Sequence, residues 1–89
     1  IVICGAGIGM SIVANKVKGI RCSLCNDVYS AKMTRAHNNS NMLAMGARVI
    51  GAETAKEIVT AWLDTPFEGG RHQTRLDMIT AVENDEVIE

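Results

Sequence analysis

The sequence contains few aromatic residues and carries almost no net charge. Phe, Trp and Tyr occur once each, and nine Lys and Arg residues nearly balance ten Asp and Glu residues, which leaves a formal net charge of −1. Surfaces that bind nucleic acids usually combine clustered basic residues with aromatic rings that stack on bases. We therefore expect no nucleic-acid partner.

Long apolar runs are also missing. No stretch reaches the roughly 20 apolar residues that cross a bilayer, and the first residues do not follow the basic-then-apolar pattern of a secretory leader. We therefore expect a soluble, cytoplasmic protein without a membrane partner.

The three cysteines do not match the pattern of a metal site. Cys22 and Cys25 form one C-x-x-C pair, but no second pair is present to complete a four-thiolate zinc site. The pair lies in an apolar, strand-like segment, in which positions three apart face opposite sides of a sheet. We expect ordinary buried, reduced thiols and no bound metal.

An apolar segment at the start of the chain leads directly into a glycine-rich loop. Cys4 ends this segment, and Gly5, Gly7 and Gly9 follow at alternating positions. Glycines let the backbone turn tightly and bring its N–H groups close to a ligand, and the N-terminus of a following helix adds positive potential. The pattern predicts Cys4 as a nucleophile or base beside a cradle for an oxyanion or phosphate.

Short apolar strands alternate with segments of helical period along the chain. This alternation is typical of βαβ units, which build a parallel sheet. The predicted strands span residues 1–4, 20–25 and 42–45, and the predicted helices span residues 10–17, 28–36 after an N-cap at 26–27, 53–63 and 71–83. Because a parallel sheet needs both faces covered, we expect further strands from an N-terminal segment outside this sequence.

Two helices are predicted to supply apolar side chains to the core. The helix at 53–63 carries an apolar stripe at three-four spacing, formed by Ala55, Ile58, Val59, Trp62 and Leu63. The last helix is expected to turn Leu76, Ile79 and Val82 inward, and the acidic residues 83–89 are expected to fray.

One histidine and two arginines are further candidates for a site. His37 closes the second predicted helix, where an imidazole also serves as a helix C-cap. Arg71 and Arg75 share one helix face, and Arg71 falls in the first turn, where the helix dipole disfavours a cation. A bound phosphate would resolve that conflict. The alternative is a solvated basic face paired with Glu68 or Asp77.

Five segments of the chain carry a family resemblance. They are Ile3-Cys4-Gly5-Ala6-Gly7-Ile8-Gly9-Met10-Ser11, Ala14-Asn15-Lys16-Val17-Lys18-Gly19-Ile20-Arg21, His37-Asn38-Asn39-Ser40-Asn41, Gly46-Ala47-Arg48-Val49 and Phe67-Glu68-Gly69-Gly70-Arg71-His72. In this order they resemble ribose-5-phosphate isomerase type B, a family that also includes the galactose-6-phosphate isomerase subunits. The resemblance implies a Rossmann-like three-layer α/β sandwich with a parallel sheet. Residues 1–89 would form the C-terminal portion of its single sugar-phosphate isomerase domain.

The resemblance also implies an activity and residue roles. A member of this family interconverts ribose 5-phosphate and ribulose 5-phosphate through an enediolate, with no metal or cofactor. Cys4 would be the catalytic base, and His37 would assist opening of the sugar ring. The implied binding groups are the N–H groups of Gly5, Gly7 and Gly9 for the enediolate oxygen, Arg71 and Arg75 for the phosphate, and Asn38 and Arg48 for the sugar or phosphate.

The family shares each active site between two subunits, with the cysteine loop of one facing the histidine and arginines of the other. This implies a homodimer or a dimer of dimers that takes a phosphosugar substrate. Ala6 stands where many members have a threonine or serine that helps ring opening. An Asp-His pair from the family's N-terminal segment is not in this sequence, so we expect the 89-residue chain alone to be poorly active.

Other functions fit parts of the sequence. A galactose-6-phosphate or allose-6-phosphate isomerase, or one catalytic or non-catalytic subunit of such an enzyme, would use the same scaffold. A dinucleotide-binding half-domain is suggested by Asp27, which lies about 20 residues beyond the glycine loop. However, the glycines are spaced two and two, and the third glycine of that fingerprint would fall at Met10.

Overall fold

The computed structural model describes residues 1–86 and places three strands and four helices among them. In chain order they are β1 (Val2–Cys4), α1 (Ile8–Asn15), β2 (Cys22–Leu24), α2 (Val28–Asn38), β3 (Met42–Gly46), α3 (Ala52–Asp64) and α4 (Arg71–Glu83). The predicted alternation of strands and helices is therefore confirmed, whereas residues 87–89 of the predicted frayed end lie outside the described residues.

The three strands form a parallel sheet in the order β1-β3-β2. In this register Cys4 is opposite Gly46 and Leu24 is opposite Ala44. The central strand β3 is buried from Leu43 to Gly46, as expected of a strand with neighbours on both sides. The α/β prediction is confirmed, and all three strands end at one edge of the sheet.

The helices α1 and α2 differ by two residues from their predicted bounds, and α3 extends one residue beyond its predicted bounds at each end. The helix α1 begins at Ile8, two residues earlier than predicted, because Gly7 takes a left-handed conformation with φ 80° and is itself the N-cap. The predicted cap of α2 is confirmed, since the Asp27 carboxylate accepts a hydrogen bond of 2.7 Å from the Ser30 N–H. That helix continues past the predicted end to Asn38.

The core lies between β3 and the pair of helices α2 and α3. It contains Leu43, Met45, Ile58, Trp62, Cys25 and Ala31. The Trp62 indole N–H donates a 2.7 Å hydrogen bond to the Ser40 hydroxyl, so the one polar atom of this large buried ring has a partner. The prediction that α3 supplies a core stripe is confirmed for Ile58 and Trp62.

Three predicted core residues are exposed instead. Leu63 is 59% exposed because it follows Trp62 directly, and one residue rotates a helix by about 100° away from the buried stripe. Ile79 is 46% and Val82 58% exposed, whereas Leu76 is buried. The helix α4 contacts α2, and its later turns border an open cleft beside Ile20. Within residues 1–86, no helix is long and apolar enough to cross a membrane.

Candidate active site

Cys4 lies at the edge of the sheet where the strands end. Its carbonyl accepts a 2.9 Å hydrogen bond from the Ala47 N–H, and the carbonyl of Gly5 accepts one of 3.0 Å from the Arg48 N–H. These two bonds join the loop after β1 to the turn after β3. Cys4 is partly buried, and Arg48 is exposed beside it. The structure therefore brings together the predicted cysteine loop and Arg48.

Close backbone packing explains two of the glycines in this region. A Cβ on Gly7 would lie 2.5 Å from Leu24 Cδ1 and 2.8 Å from the carbonyl carbon of Met45. A Cβ on Gly46 would lie 2.7 Å from the carbonyl oxygen of Ala6. Because real Cβ atoms do not approach that closely, only glycine fits at either position. The loop thereby lies directly across the strand ends.

The glycine loop presents backbone donors at the start of α1. The first N–H groups of an α-helix have no acceptor within the helix, and Gly7 has no side chain to supply one. Gly9 lies in the first turn of α1 rather than in the loop, as the shifted start of this helix requires. A Cβ on Gly5 would lie 3.7 Å from Arg48 Cδ, so the arginine side chain covers one side of the loop. The arrangement can hold an anion beside the Cys4 thiol.

A second group of candidate residues surrounds a separate cleft of about 330 Å³. His37 from the last turn of α2 and Arg71, His72 and Arg75 from α4 line this cleft. The structure therefore brings together His37 and both predicted phosphate-binding arginines. The alternative pairing of the arginines is not seen among residues 1–86, because Asp77 accepts a hydrogen bond from Gln73 and Glu68 faces histidines.

Sequence reasoning missed how Glu68 and His72 relate to His37. The imidazole rings of His37 and His72 stack with centroids 4.1 Å apart and an interplanar angle of 11°. Glu68 Oε1 lies 3.9 Å from His37 Nε2 and 3.7 Å from His72 Nε2. The i, i+4 spacing of Glu68 and His72 in the sequence could have indicated their contact. The contact of both residues with His37 depends on how α2 packs against α4.

Asn38 is the last residue of α2, and its backbone is held by an arginine from before β2. The Arg21 guanidinium donates hydrogen bonds of 3.3 Å to the Asn38 carbonyl and of 2.9 and 3.1 Å to the Asn39 carbonyl. Asn39 follows in a left-handed conformation with φ 45° and is the C-cap, so His37 does not have that role. Arg21 thus fixes the end of α2 that carries His37 and Asn38.

The two groups lie at opposite edges of the sheet. Cys4 is the last residue of β1, and Arg48 follows the carboxyl end of β3. The end of α2 instead lies beside the start of β3, where the Asn41 N–H donates to the Arg21 carbonyl. The five residues of β3 at about 3.3 Å each separate the edges by roughly 15 Å. Within one chain, the structure does not bring Cys4 together with His37.

His37, Glu68 and His72 have the side-chain types that bind zinc, and their donor atoms lie within 4.8 Å of one another. Imidazole lone pairs lie in the ring plane, however, and these two planes are nearly parallel, so the lone pairs do not point at a common ion. Arg71 and Arg75 add positive charge to the same cleft. The cleft suits an anion better than a cation.

The thiols of Cys22 and Cys25 and the carboxylate of Asp27 contribute to the packing and helix capping of the fold. Burial raises the pKa of Cys25 to about 11, and burial also raises the pKa of Cys22. Cys25 is buried as predicted, while Cys22 is only partly buried. Hydrogen bonds from the Ser30 N–H and hydroxyl lower the pKa of Asp27. Because this carboxylate caps α2, it is not free for the ribose contact that a dinucleotide site needs.

Comparison with known proteins identifies the family. The family model for Ribose/Galactose Isomerase matches residues 1–79. Ribose-5-phosphate isomerase B of Escherichia coli is 57% identical over 83 residues, which are 93% of this chain and 56% of that protein. The D-erythrulose-4-phosphate isomerase of Pectobacterium atrosepticum is 55% identical over 86 residues, which are 97% of this chain and 57% of that protein.

A solved structure agrees with these matches. Ribose-5-phosphate isomerase B of Clostridium thermocellum superposes with a TM-score of 0.93 at 49% identity, over 94% of this chain and 57% of that one. The chain therefore spans a little more than half the length of these relatives. The resemblance drawn from the five sequence segments is confirmed, and the chain belongs to the ribose/galactose isomerase family.

Proposed function

We propose that the protein containing this chain is an aldose–ketose isomerase that interconverts ribose 5-phosphate and ribulose 5-phosphate. The observation that carries the proposal is the pair of complementary half-sites. One half-site has the Cys4 thiol beside the backbone donors of α1, and the other has His37 beside Arg71 and Arg75. A phosphosugar needs both, because it carries an anionic phosphate at one end and a reacting carbonyl at the other.

Each side chain has a defined step in this mechanism. Arg71 and Arg75 bind the phosphate through charge-assisted hydrogen bonds. His37 moves a proton during opening of the sugar ring. The Cys4 thiolate then removes the proton from the carbon next to the carbonyl and returns it to the neighbouring carbon.

The glycine loop stabilises the intermediate between these proton transfers. Negative charge develops on the enediolate oxygen, and the N–H groups from Gly5 to Gly9 donate hydrogen bonds to it in this proposal. Fixed donors of this kind lower a barrier most when the charge exists only near the transition state. Asn38 and Arg48 complete the contacts to the sugar or phosphate.

Two copies of the chain are needed to assemble the site. One chain holds Cys4 and His37 at opposite edges of its sheet, so we propose a homodimer in which each active site combines the cysteine loop of one copy with the cleft of the other. The helix α1, next to that loop, exposes apolar side chains at Ile8, Ile12 and Val13, which association would bury. Pairs of these dimers would give the dimer of dimers. We place the protein in the cytoplasm, where charged phosphosugars are retained.

A longer phosphosugar is the competing substrate. The Ala6 side chain is a methyl group, smaller than the threonine or serine that many family members have at this position. Galactose 6-phosphate or allose 6-phosphate would use the same proton transfers.

The test is the rate of ribulose 5-phosphate formation from ribose 5-phosphate by the full-length protein, with no metal or cofactor added. Turnover that falls at least 10²-fold in Cys4→Ala, about the range of acid–base catalysis, supports the proposal. Turnover only with a six-carbon phosphosugar would replace the substrate, and comparable turnover in Cys4→Ala would overturn the assignment of the base.

A further inference from the structure

We propose that Glu68 is a positioning residue that, together with His72, holds the His37 imidazole for ring opening. This inference rests on the proposed isomerase function. Glu68 does not touch the sugar in this account; it acts through the two imidazoles that its carboxylate faces.

The geometry around Glu68 restricts the His37 ring from two directions. The His72 ring covers one face of the His37 ring at a centroid distance of 4.1 Å. Glu68 Oε1 faces Nε2 of both rings, at 3.9 Å for His37 and 3.7 Å for His72, which is within ion-pair range. The His37 ring therefore cannot rotate without losing the stack, the carboxylate contact or both.

The backbone of Glu68 is fixed to the same helix turn that carries His37. Its N–H donates a 3.0 Å hydrogen bond to the carbonyl of Ala36, the residue before His37. The His72 side chain is only 16% exposed, so its position is set by packing, whereas the His37 side chain is 39% exposed and open to a ligand. The accessible imidazole of His37 therefore stacks on the imidazole of His72, which packing holds in place.

The carboxylate also decides which nitrogen of His37 is available. A negative charge facing Nε2 favours the proton on that nitrogen and leaves Nδ1 to exchange a proton with the sugar. In ring opening, the anomeric hydroxyl loses its proton and becomes the carbonyl oxygen. The bond from that carbon to the ring oxygen breaks, and the ring oxygen takes up a proton. The step needs no oxidant or reductant.

The negative charge of Glu68 distinguishes a positioning role for this residue from a role in binding the phosphate. The charged groups near the two imidazoles are Glu68, from the loop before α4, and Arg71 and Arg75, which line the same cleft. Glu68 opposes the positive potential that attracts the phosphate. Its neutralisation in Glu68→Gln should therefore leave KM unchanged or lower it, while kcat for the cyclic aldose falls.

The experiment compares two reactions of the full-length protein. Isomerisation of ribose 5-phosphate requires ring opening. Wash-in of deuterium at C1 of ribulose 5-phosphate in D2O requires only proton removal and return, because that ketose has no free hydroxyl placed to close a five-membered ring. We expect Glu68→Gln to lower kcat for isomerisation by about tenfold, a small part of the range for acid–base catalysis. We expect deuterium wash-in to stay within about twofold of wild type.

Three further variants sharpen the comparison. Glu68→Asp keeps the charge on a shorter arm and should recover part of the lost isomerisation. His72→Phe keeps an aromatic ring against His37 but removes the second imidazole, and it should show the same selective loss as Glu68→Gln. Glu53→Gln removes an exposed carboxylate on α3 whose one ion-pair partner among residues 1–86 is Lys56, and it should match wild type in both reactions.

The outcomes distinguish failure of the Glu68 proposal from failure of the proposed isomerase function. Equal losses of isomerisation and deuterium wash-in in Glu68→Gln would indicate a structural role and overturn the inference, as would no loss in either. A wild-type protein that neither isomerises ribose 5-phosphate nor exchanges the ketose proton would overturn the proposed function itself.

Discussion

Gly46 lies so close to Ala6 that a Cβ on Gly46 would come within 2.7 Å of the Ala6 carbonyl oxygen. This contact joins the loop after Cys4 to the end of β3, two residues before Arg48, and Asn26 Oδ1 accepts a 3.3 Å hydrogen bond from the Gly46 N–H at the same point. The shape of the anion cradle therefore depends on backbone packing beneath it.

Substitution of Gly46 should damage both stability and the loop. We expect Gly46→Ala to lower the free energy of unfolding by about 1–3 kcal/mol, the usual cost of overpacking a buried site, because the contact is with backbone and cannot relax by a side-chain rotation. Urea denaturation measures this change. The control is Gly51→Ser, since a Cβ at Gly51 has open space around it and serine is a preferred N-cap. Equal stability of the two variants would contradict the account.

Arg21 should stabilise the end of α2. Its guanidinium donates to the carbonyls of Asn38 and Asn39, and hydrogen bonds from charged groups contribute roughly 1.5–3 kcal/mol. We expect Arg21→Met to lower the free energy of unfolding by about 1–2 kcal/mol, measured by urea denaturation. Lys18→Met, which removes an exposed charge nearby, should change it much less. A smaller loss for Arg21→Met than for Lys18→Met would show that these bonds do not hold the helix.

Asp27 should make the stability of α2 depend on pH. Its pKa is lower in the folded protein than the ordinary value of 3.8, because Ser30 donates two hydrogen bonds to the ionised carboxylate. Its contribution is therefore fully present above the unfolded pKa and is lost as the pH falls through the folded pKa. Asp27→Ala should lower the melting temperature at neutral pH, and the difference from wild type should shrink in acid. A difference that grows in acid would contradict this assignment.

Cys25 should be the last thiol to react. It is 1% exposed, and burial with the nearby Asp27 charge raises its pKa to about 11, so at neutral pH it is protonated and covered. We expect iodoacetamide to label Cys4 in the native protein while Cys25 stays unlabelled until a denaturant is added. Mass spectrometry of peptides after timed labelling measures the order. Labelling of Cys25 at the same rate as Cys4 would mean that the core around it opens.

Local sequence patterns predicted the parts of the structure that depend on neighbouring residues. The strand ending at Cys4, the Asp27 cap and the bounds of α4 from Arg71 to Glu83 follow from periodicity and cap residues. Exposure of Ile79 and Val82 did not follow, because it depends on which elements pack over the last turns of α4.

The sequence indicated candidate site residues, and the family resemblance implied that two subunits share them, but neither described how one chain arranges them. Cys4, His37 and Arg71 were identified from local chemistry and the family resemblance. Their division between two edges of the sheet, and the stack of His72 on His37, arise from contacts between elements distant in sequence. The spacing of residues along the sequence does not indicate which distant elements make these contacts.

The shared active site is tested most directly by mixing two inactive variants of the full-length protein. Cys4→Ala lacks the base and Arg71→Ala lacks a phosphate ligand, and each should convert ribose 5-phosphate poorly by itself. Random reassociation of equal amounts makes half of the dimers hybrids, each with one intact site and one doubly defective site. The account predicts that the mixture regains about a quarter of wild-type turnover. No gain over the separate variants, after exchange of subunits is demonstrated, would contradict a site built from two copies of this chain.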